Sequence, residues 1–387
     1  MHAPLSRRDW LRSSGFLAAG LTGLSPWSEA AGRAAAPRQQ PFVHEFAGLP
    51  PTMPKLRARL FANENPYGIS PSAREALIRA VEVGNRYAWM EFAELKGLIA
   101  ADEAVKPANI LFSPGSSDLL MAAAVHYARN GGTILTSAMT YDDLLERAAR
   151  FGANIVSVPM TKNYQYDLAT IKAKLTPAVK LVYIVNPNNP TGTIVPPAEL
   201  EAFCRDVAPK VPVLLDEAYL DFLEPADRPR LAKLVAEGQN VILTRTFSKI
   251  HGFAGLRLGY AIGQPETLKT LRQYTNGDFA VSITTLMAGI ASYKDKAWQD
   301  QCRTGNAQAR DATVKALKEL GYEVIPSQAN FLLFPIRMKA KTFENQLFAQ
   351  GIGIQTREFD KQPFCRVSVG TMDEMNLFTE AFRKVVG

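Results

Sequence analysis

The sequence Val241-Ile242-Leu243-Thr244-Arg245-Thr246-Phe247-Ser248-Lys249 joins an apolar run to a group of hydroxyls and cations. The run over 241–244 predicts a buried strand, because short branched aliphatic runs bounded by polar residues fit the interior of a parallel sheet. Gly255-Leu256-Arg257-Leu258-Gly259 adds a second cation shortly afterwards. Hydroxyls and a guanidinium bind phosphate, and a lysine among cations loses its proton and attacks aldehydes. Taken alone, the stretch is equally compatible with a solvated turn.

Similar apolar runs recur along the chain and alternate with amphipathic stretches. They predict buried strands at 109–113, 133–137, 154–158, 181–185, 213–215, 241–244 and 258–262. Apolar residues at three-to-four spacing predict helices at 117–127, 141–151 and 197–207. Repeated strand–helix units indicate an α/β fold with a mainly parallel sheet flanked by helices.

The pattern changes after residue 263, where long helices precede short strands. Helices are predicted at 266–274, 284–293 and 298–320, and strands at 323–325, 330–334 and 365–369. This order indicates a smaller α+β domain at the C-terminus. We therefore predict four segments: a signal peptide at 1–30, an N-terminal arm at 31–66, a large domain at 67–265 and a small domain at 266–387.

The composition is that of an ordinary soluble enzyme. Of 387 residues, 47% are hydrophobic and 21% charged, and the net charge of +7 is spread without Lys/Arg runs, which argues against a nucleic-acid partner. Four histidines and no clustered carboxylates give no argument for a metal. Cys204, Cys302 and Cys365 are widely spaced; one disulfide is arithmetically possible, but buried thiols without a role are favoured.

The N-terminus predicts export. Ser6-Arg7-Arg8-Asp9-Trp10-Leu11 places two arginines before a short apolar run over 15–24, the order found in twin-arginine signals. That run is too short to span a bilayer, and Ser28-Glu29-Ala30 offers small residues for cleavage. We expect a periplasmic protein exported folded, without stable membrane insertion after cleavage, or a cytoplasmic one if the signal is not used.

Two further motifs follow buried strands. Asn186-Pro187-Asn188-Asn189-Pro190-Thr191-Gly192 comes after the run over 181–185, and Asp216 ends the run over 213–215. Ligands collect at the carboxyl ends of parallel strands, although a plain turn and a helix cap are the competing explanations.

The ordered set Asn189, Asp216, Tyr219, Lys249 and Arg257 resembles the fold-type I pyridoxal-phosphate aminotransferases of class I/II, and most closely their histidinol-phosphate aminotransferase-like branch. The likeness covers nearly all residues from Ala62 to the C-terminus. It implies pyridoxal 5'-phosphate as cofactor, bound to Lys249 as a Schiff base. Lys249 would also move the substrate proton, Asp216 would pair with the pyridinium nitrogen, and Asn189 and Tyr219 would hydrogen-bond the phenolic oxygen.

The resemblance also implies the remaining contacts to cofactor and substrate. The phosphate would bind Ser116, Ser117, Thr246, Ser248 and Arg257. Tyr141 would lie against the ring, and Tyr87 would reach the phosphate of the neighbouring subunit, which implies a homodimer. Arg366 would grip the substrate carboxylate, with Asn330 as an additional contact and Arg357 near the distal group. The branch motif Asn63-Glu64-Asn65-Pro66-Tyr67-Gly68 is assigned no chemical step.

The expected function is transfer of an amino group between an amino acid, or a similar amine, and a 2-oxo acid. Leu49-Pro50-Pro51-Thr52-Met53 lacks the aromatic residue that often holds the substrate phosphate in histidinol-phosphate aminotransferases, and export also favours a different donor. A decarboxylase, lyase or racemase on the same scaffold is the alternative, since fold does not fix reaction. A catalytically inactive periplasmic binding protein is a third possibility.

Overall fold

The computed structural model describes residues 55–387, so the predicted export signal and most of the predicted N-terminal arm lie outside the described residues. The strands are β1 Ala58–Arg59, β2 Ile110–Ser113, β3 Thr133–Ser137, β4 Asn154–Val158, β5 Val179–Val185, β6 Val213–Asp216, β7 Val241–Thr246, β8 Gly259–Ile262, β9 Phe331–Pro335, β10 Ile352–Gly353, β11 Gln355–Phe359 and β12 Gln362–Ser368. The helices are α1 Pro71–Ala80, α2 Trp89–Glu103, α3 Ser116–Ala128, α4 Asp143–Arg150, α5 Leu168–Ala173, α6 Pro197–Val207, α7 Ala232–Ala236, α8 Pro265–Arg272, α9 Ile283–Lys294, α10 Lys296–Glu319, α11 Ala340–Ala349 and α12 Met372–Val386.

A seven-stranded sheet forms the centre of the larger part of the fold. Its order is β2-β8-β7-β6-β5-β3-β4, in which β7, β6, β5, β3 and β4 run parallel and β8 runs antiparallel to both neighbours. The predicted mainly parallel sheet is therefore confirmed. Its central strands β5, β6 and β7 are rich in branched aliphatic residues, as expected where both faces of a sheet are covered.

Successive side chains of β5 enter two separate cores on opposite faces of the sheet. Val182 and Ile184 join a core with α2, α6 and α9, whereas Leu181 and Tyr183 join a core with α3, α4 and α8. This alternation follows from the two-residue period of a strand. The helices thus hold the sheet rigidly from both sides, and its carboxyl-terminal edge is left for the loops.

The C-terminal part contains the antiparallel sheet β11-β12-β9, covered by α10, α11 and α12. Strand β1 pairs in parallel with β10, so the beginning of the described chain packs against this part. The predicted strand at 323–325 is wrong. Ile325 donates one backbone hydrogen bond to Leu333, but Pro326 has no N–H to continue a ladder.

Cys204, Cys302 and Cys365 are buried free thiols, as the sequence favoured. Among residues 55–387, none of the helices is long and apolar enough to cross a membrane. The same residues contain no group of three or more His, Cys, Asp or Glu side chains arranged to hold a metal ion. The predicted domain boundary at residue 265 stays a prediction.

Candidate active site

The carboxyl ends of β5, β6 and β7 open into one cavity of about 490 Å³. This is the edge at which ligands of open α/β sheets bind, and the volume suits a small molecule. The cavity lining contains ten of the residues predicted from the sequence: Ser116, Ser117, Tyr141, Asn189, Asp216, Tyr219, Thr246, Ser248, Lys249 and Arg257.

Asp216 is the last residue of β6 and faces the cavity, although only 2% of it is exposed. Burial raises the pKa of its carboxyl to about 7, against opposing hydrogen bonds from Ala218 N–H and Thr244. A buried carboxylate is costly unless it is paired, so this carboxyl is suited to a cationic partner entering the cavity.

Glu217 points away from the cavity, because neighbouring residues at a strand end face opposite sides. Its Oε2 accepts from Nε of Arg245 at 2.8 Å, and Arg245 also binds Glu103. This buried ion pair holds the ends of β6 and β7 together from behind, directly beside Asp216.

Lys249 reaches the cavity from the loop after β7. Its Nζ donates to the backbone oxygen of Ala62 at 3.3 Å and lies 5.4 Å from the ring centroid of Tyr219. The amine is therefore held near Tyr219 and the backbone of Ala62, in the cavity that Asp216 also lines.

Two amide groups surround the hydroxyl of Tyr219. Nδ2 of Asn189 lies 3.4 Å from Tyr219 Oη, and Nδ2 of Asn63 lies 3.0 Å from it. Asn189 Oδ1 accepts from Arg366 at 2.9 Å. Because arginine only donates, the oxygen of Asn189 must face Arg366 and its NH₂ must face Tyr219.

A second group of residues that line the cavity forms a cradle for an anion. Gly115, with φ of +89°, precedes the first turn of α3, and Ser116 and Ser117 of that turn line the cavity. Arg257 has φ of +60° and donates to Ser248 Oγ at 3.2 Å, while Thr246 bonds Ser248 at 2.9 Å. A Cβ on Gly115 would lie 2.1 Å from Arg257 Nη2. Helix N–H groups, hydroxyls and a guanidinium together match a phosphate.

Four predicted residues lie outside the cavity lining. Arg366 is fully buried behind Asn189 and also donates to Phe61 O at 2.8 Å and Gln355 Oε1 at 2.6 Å. Asn330 donates to the backbone oxygens of Asn63 and Glu64. The other two are Arg357 on β11, which donates to Gln355 Oε1 at 3.4 Å, and Tyr87, which is 77% exposed.

The sequence prediction named Asn63 and Glu64 within the branch motif but did not assign the segment 59–64 to the cavity. Arg59, Phe61, Ala62 and Glu64 line the cavity, and Arg59 Nη2 pairs with Glu64 Oε1 at 2.8 Å at its open side. Backbone oxygens of this segment accept from Arg366 and Lys249. The motif that begins at Asn63 was the feature of the sequence that could have identified this segment as part of the site.

The donor set fits pyridoxal phosphate. An anion cradle, a buried carboxyl able to pair with a ring nitrogen and a lysine amine all line this one cavity. Tyr219 and Asn189 add polar hydrogens on the same wall of the cavity.

Comparisons with known proteins show the family to which the chain belongs. The family model "Aminotransferase class I and II" matches residues 58–382. The histidinol-phosphate aminotransferase of Moorella thermoacetica is 35% identical over 330 residues, covering 85% of each chain. The aromatic amino acid aminotransferase of Mycobacteroides abscessus is 37% identical over 289 residues, 74% of this chain and 81% of that one.

Among solved structures, the histidinol-phosphate aminotransferase of Sinorhizobium meliloti in complex with pyridoxal-5'-phosphate superimposes with a TM-score of 0.79 at 27% identity. The match covers 91% of this chain and 98% of that one. The chain therefore belongs to the class I and II aminotransferase family and is a pyridoxal-phosphate-dependent aminotransferase similar to histidinol-phosphate aminotransferases.

Proposed function

We propose that Lys249 and Asp216 are the catalytic centre of this aminotransferase and that an amino acid and a 2-oxo acid are its substrates. One observation carries the proposal: the lysine amine and the buried carboxyl face one cavity that also contains the anion cradle. When bound, pyridoxal phosphate supplies an electron-accepting ring that stabilises negative charge at the substrate α-carbon.

Lys249 would hold the cofactor through Nζ, and its amine would serve as the base and acid at the substrate α-carbon. The neighbouring carbonyl of Ala62 and ring of Tyr219 restrict where Nζ can move. A general base must remain within hydrogen-bond reach of the proton it transfers.

Asp216 would pair with the ring nitrogen of the cofactor. The buried carboxyl is disfavoured as an anion in the protein alone, which is why its pKa is raised to about 7. A cationic partner reverses that preference, since an opposite charge nearby favours ionisation. The pair is therefore expected to keep the ring nitrogen charged throughout turnover.

Arg366 binds the α-carboxylate of the substrate through the guanidinium now directed to Asn189 and Gln355. A guanidinium binds a carboxylate through two parallel hydrogen bonds, and its burial strengthens that attraction. Asn330 supports this wall by holding the carbonyls of Asn63 and Glu64, and Arg357 lies beyond Gln355 where a distal substrate group would extend.

The test records the visible absorption of the purified protein with pyridoxal phosphate and a panel of amino acids. We expect a coloured protein whose absorption is shifted by the active donor, and a Lys249→Ala variant that lacks the covalently bound absorption. A 2-oxo acid formed only when an acceptor is supplied supports transamination. Product formed without an acceptor would favour the decarboxylase, lyase or racemase alternative.

We also propose a homodimer in which Tyr87 reaches the phosphate of the neighbouring site. Tyr87, Trp89 and Phe279 form an exposed aromatic cluster, with Trp89 and Phe279 rings 4.8 Å apart. Met90 in the same region is 77% exposed. Large apolar side chains grouped on a surface are typical of a protein interface, and a second copy of this chain is the occupant we propose.

Export by the twin-arginine route to the periplasm is our proposal for the residues preceding 55. It rests on Arg7-Arg8 before the apolar run. Fusion of residues 1–40 to a folded reporter should deliver it to the periplasm, and Arg7→Lys with Arg8→Lys should abolish delivery. A reporter retained in the cytoplasm by the native segment would contradict the proposal.

A further inference from the structure

Asn63 has a left-handed backbone conformation inside the protein. Its φ is +51° and it is fully buried. Asparagine is one of the few residues that adopt this conformation readily, and a buried one in that state indicates a position fixed by its surroundings. Asn63 begins the motif to which the sequence analysis assigned no chemical step.

Ser368 and Asn330 fix this residue from the C-terminal part of the fold. The backbone N–H of Asn63 donates to Ser368 Oγ at 2.8 Å, and Ser368 Oγ donates to Asn63 Oδ1 at 2.9 Å. Asn330 Nδ2 donates to the backbone oxygen of Asn63 at 3.0 Å. With its oxygen facing Ser368, the side-chain amide directs its NH₂ to Tyr219, 3.0 Å away.

The hydroxyl of Tyr219 therefore accepts from Asn63 and, more weakly, from Asn189. A phenol has one proton, and neither amide nitrogen can accept it. The proton must point elsewhere, and Tyr219 lines the cavity. Two donors on the oxygen also polarise the phenol and strengthen the bond that it donates.

We propose that Asn63 is a positioning residue that makes Tyr219 a hydrogen-bond donor to the phenolic oxygen of the bound cofactor. Ser368 and Asn330, in the C-terminal part of the fold, hold Asn63 in this orientation through their hydrogen bonds. The inference rests on the proposed cofactor site, in which that oxygen faces Tyr219. Because hydrogen bonds to an anion favour the anionic form, Asn63 is expected to lower the pKa of the proton shared by this oxygen.

The experiment is a pH titration of the visible absorption of the holoenzyme without substrate. Asn63→Gly keeps the left-handed backbone and removes the amide, and we expect the midpoint to rise by about half to one pH unit. Asn130→Gly is the matched control, because Asn130 is an exposed asparagine with φ of +58°. Its midpoint should equal that of the wild type.

Two further variants keep the test decisive. Ser368→Ala removes the hydroxyl that orients Asn63 and should also raise the midpoint. This variant replaces Asn63→Gly in the test if Asn63→Gly does not fold. In a Tyr219→Phe background, Asn63→Gly should give no further shift, since coupled residues are non-additive.

The outcomes separate this inference from the proposed site. A wild-type protein without bound cofactor absorption would overturn both. If the wild-type holoenzyme shows the titration and Asn63→Gly and Ser368→Ala have the wild-type midpoint, the role of Asn63 alone is overturned. The same conclusion follows if Asn63→Gly shifts the midpoint by the same amount in the Tyr219→Phe background.

Discussion

Arg366 Nη1 donates to Asn189 Oδ1 at 2.9 Å, joining residues 177 positions apart in the sequence. The contact links β12 to the loop after β5, and so connects the proposed substrate anchor to the wall of the cofactor cavity. Both residues are buried, and this bond orients the amide of Asn189 towards Tyr219.

Replacing Arg366 by lysine should lower kcat/KM for the amino donor by about 30- to 1,000-fold, mainly through KM. Lysine keeps the charge but loses the planar fork that binds a carboxylate twice. Steady-state kinetics with a fixed acceptor measure the effect, and Arg337→Lys, a change outside the cavity lining, is the control. Unchanged KM in Arg366→Lys would remove Arg366 from the substrate site.

Replacing Asp216 by asparagine should stabilise the cofactor-free protein at pH 8 by about 2 to 4 kcal/mol. The folded-state pKa of Asp216 is raised from 3.8 to about 7, so the folded protein retains a proton that the unfolded chain loses. Ionisation of Asp216 therefore lowers the free energy of unfolding of the wild type as the pH rises from about 4 to about 7. The asparagine variant has no such decrease.

Urea unfolding of both cofactor-free proteins across pH 4 to 8 measures this difference. The gain should be absent near pH 4 and reach its full value above pH 7. A pH-independent difference would show that Asp216 does not titrate in this range. The Asp216→Asn variant should still bind pyridoxal phosphate, but its aminotransferase activity should be greatly reduced. The ring nitrogen of the cofactor loses its anionic partner in this variant.

Replacing Gly115 by alanine should weaken binding of pyridoxal phosphate at least tenfold. The new methyl group would lie 2.1 Å from Arg257 Nη2 and displace the guanidinium from the anion cradle. Gly131→Ala is the matched control: Gly131 also has positive φ, +72°, but a Cβ there meets no described atom within 4 Å. Its affinity should match the wild type although its stability falls by about 1 kcal/mol. Equal affinity in both variants would contradict the cradle.

Mixing Lys249→Ala with Tyr87→Ala subunits should raise activity if Tyr87 reaches the neighbouring site. In a hybrid of Lys249→Ala and Tyr87→Ala subunits, the site containing Lys249 receives the native Tyr87 from the other subunit. Random exchange gives about a quarter of all sites this composition. Activity measured after co-refolding should exceed the mean of the separate variants. No gain, in protein shown to be dimeric by sedimentation, would place Tyr87 outside the partner's site.

The elements predicted most accurately were those whose pattern is local. Strands β3 and β4 and helix α6 begin and end at the predicted residues. Helix α2 was not predicted, because its apolar residues include buried Leu95 and exposed Trp89 and Met90, which removes the single apolar face. Helix α12 was also missed, although Thr371 and Glu374 form a capping box at its start.

The sequence by itself determined the alternation of strands and helices and which polar residues end buried strands, because both depend on neighbouring residues. The family resemblance then implied that Asp216 and Lys249 serve one cofactor, and they line one cavity. Only the tertiary structure decided that Asn63, Asn330 and Arg366 converge behind that cavity. Their hydrogen bonds join segments far apart in the chain, and the direction of a buried amide depends on partners that no local pattern specifies.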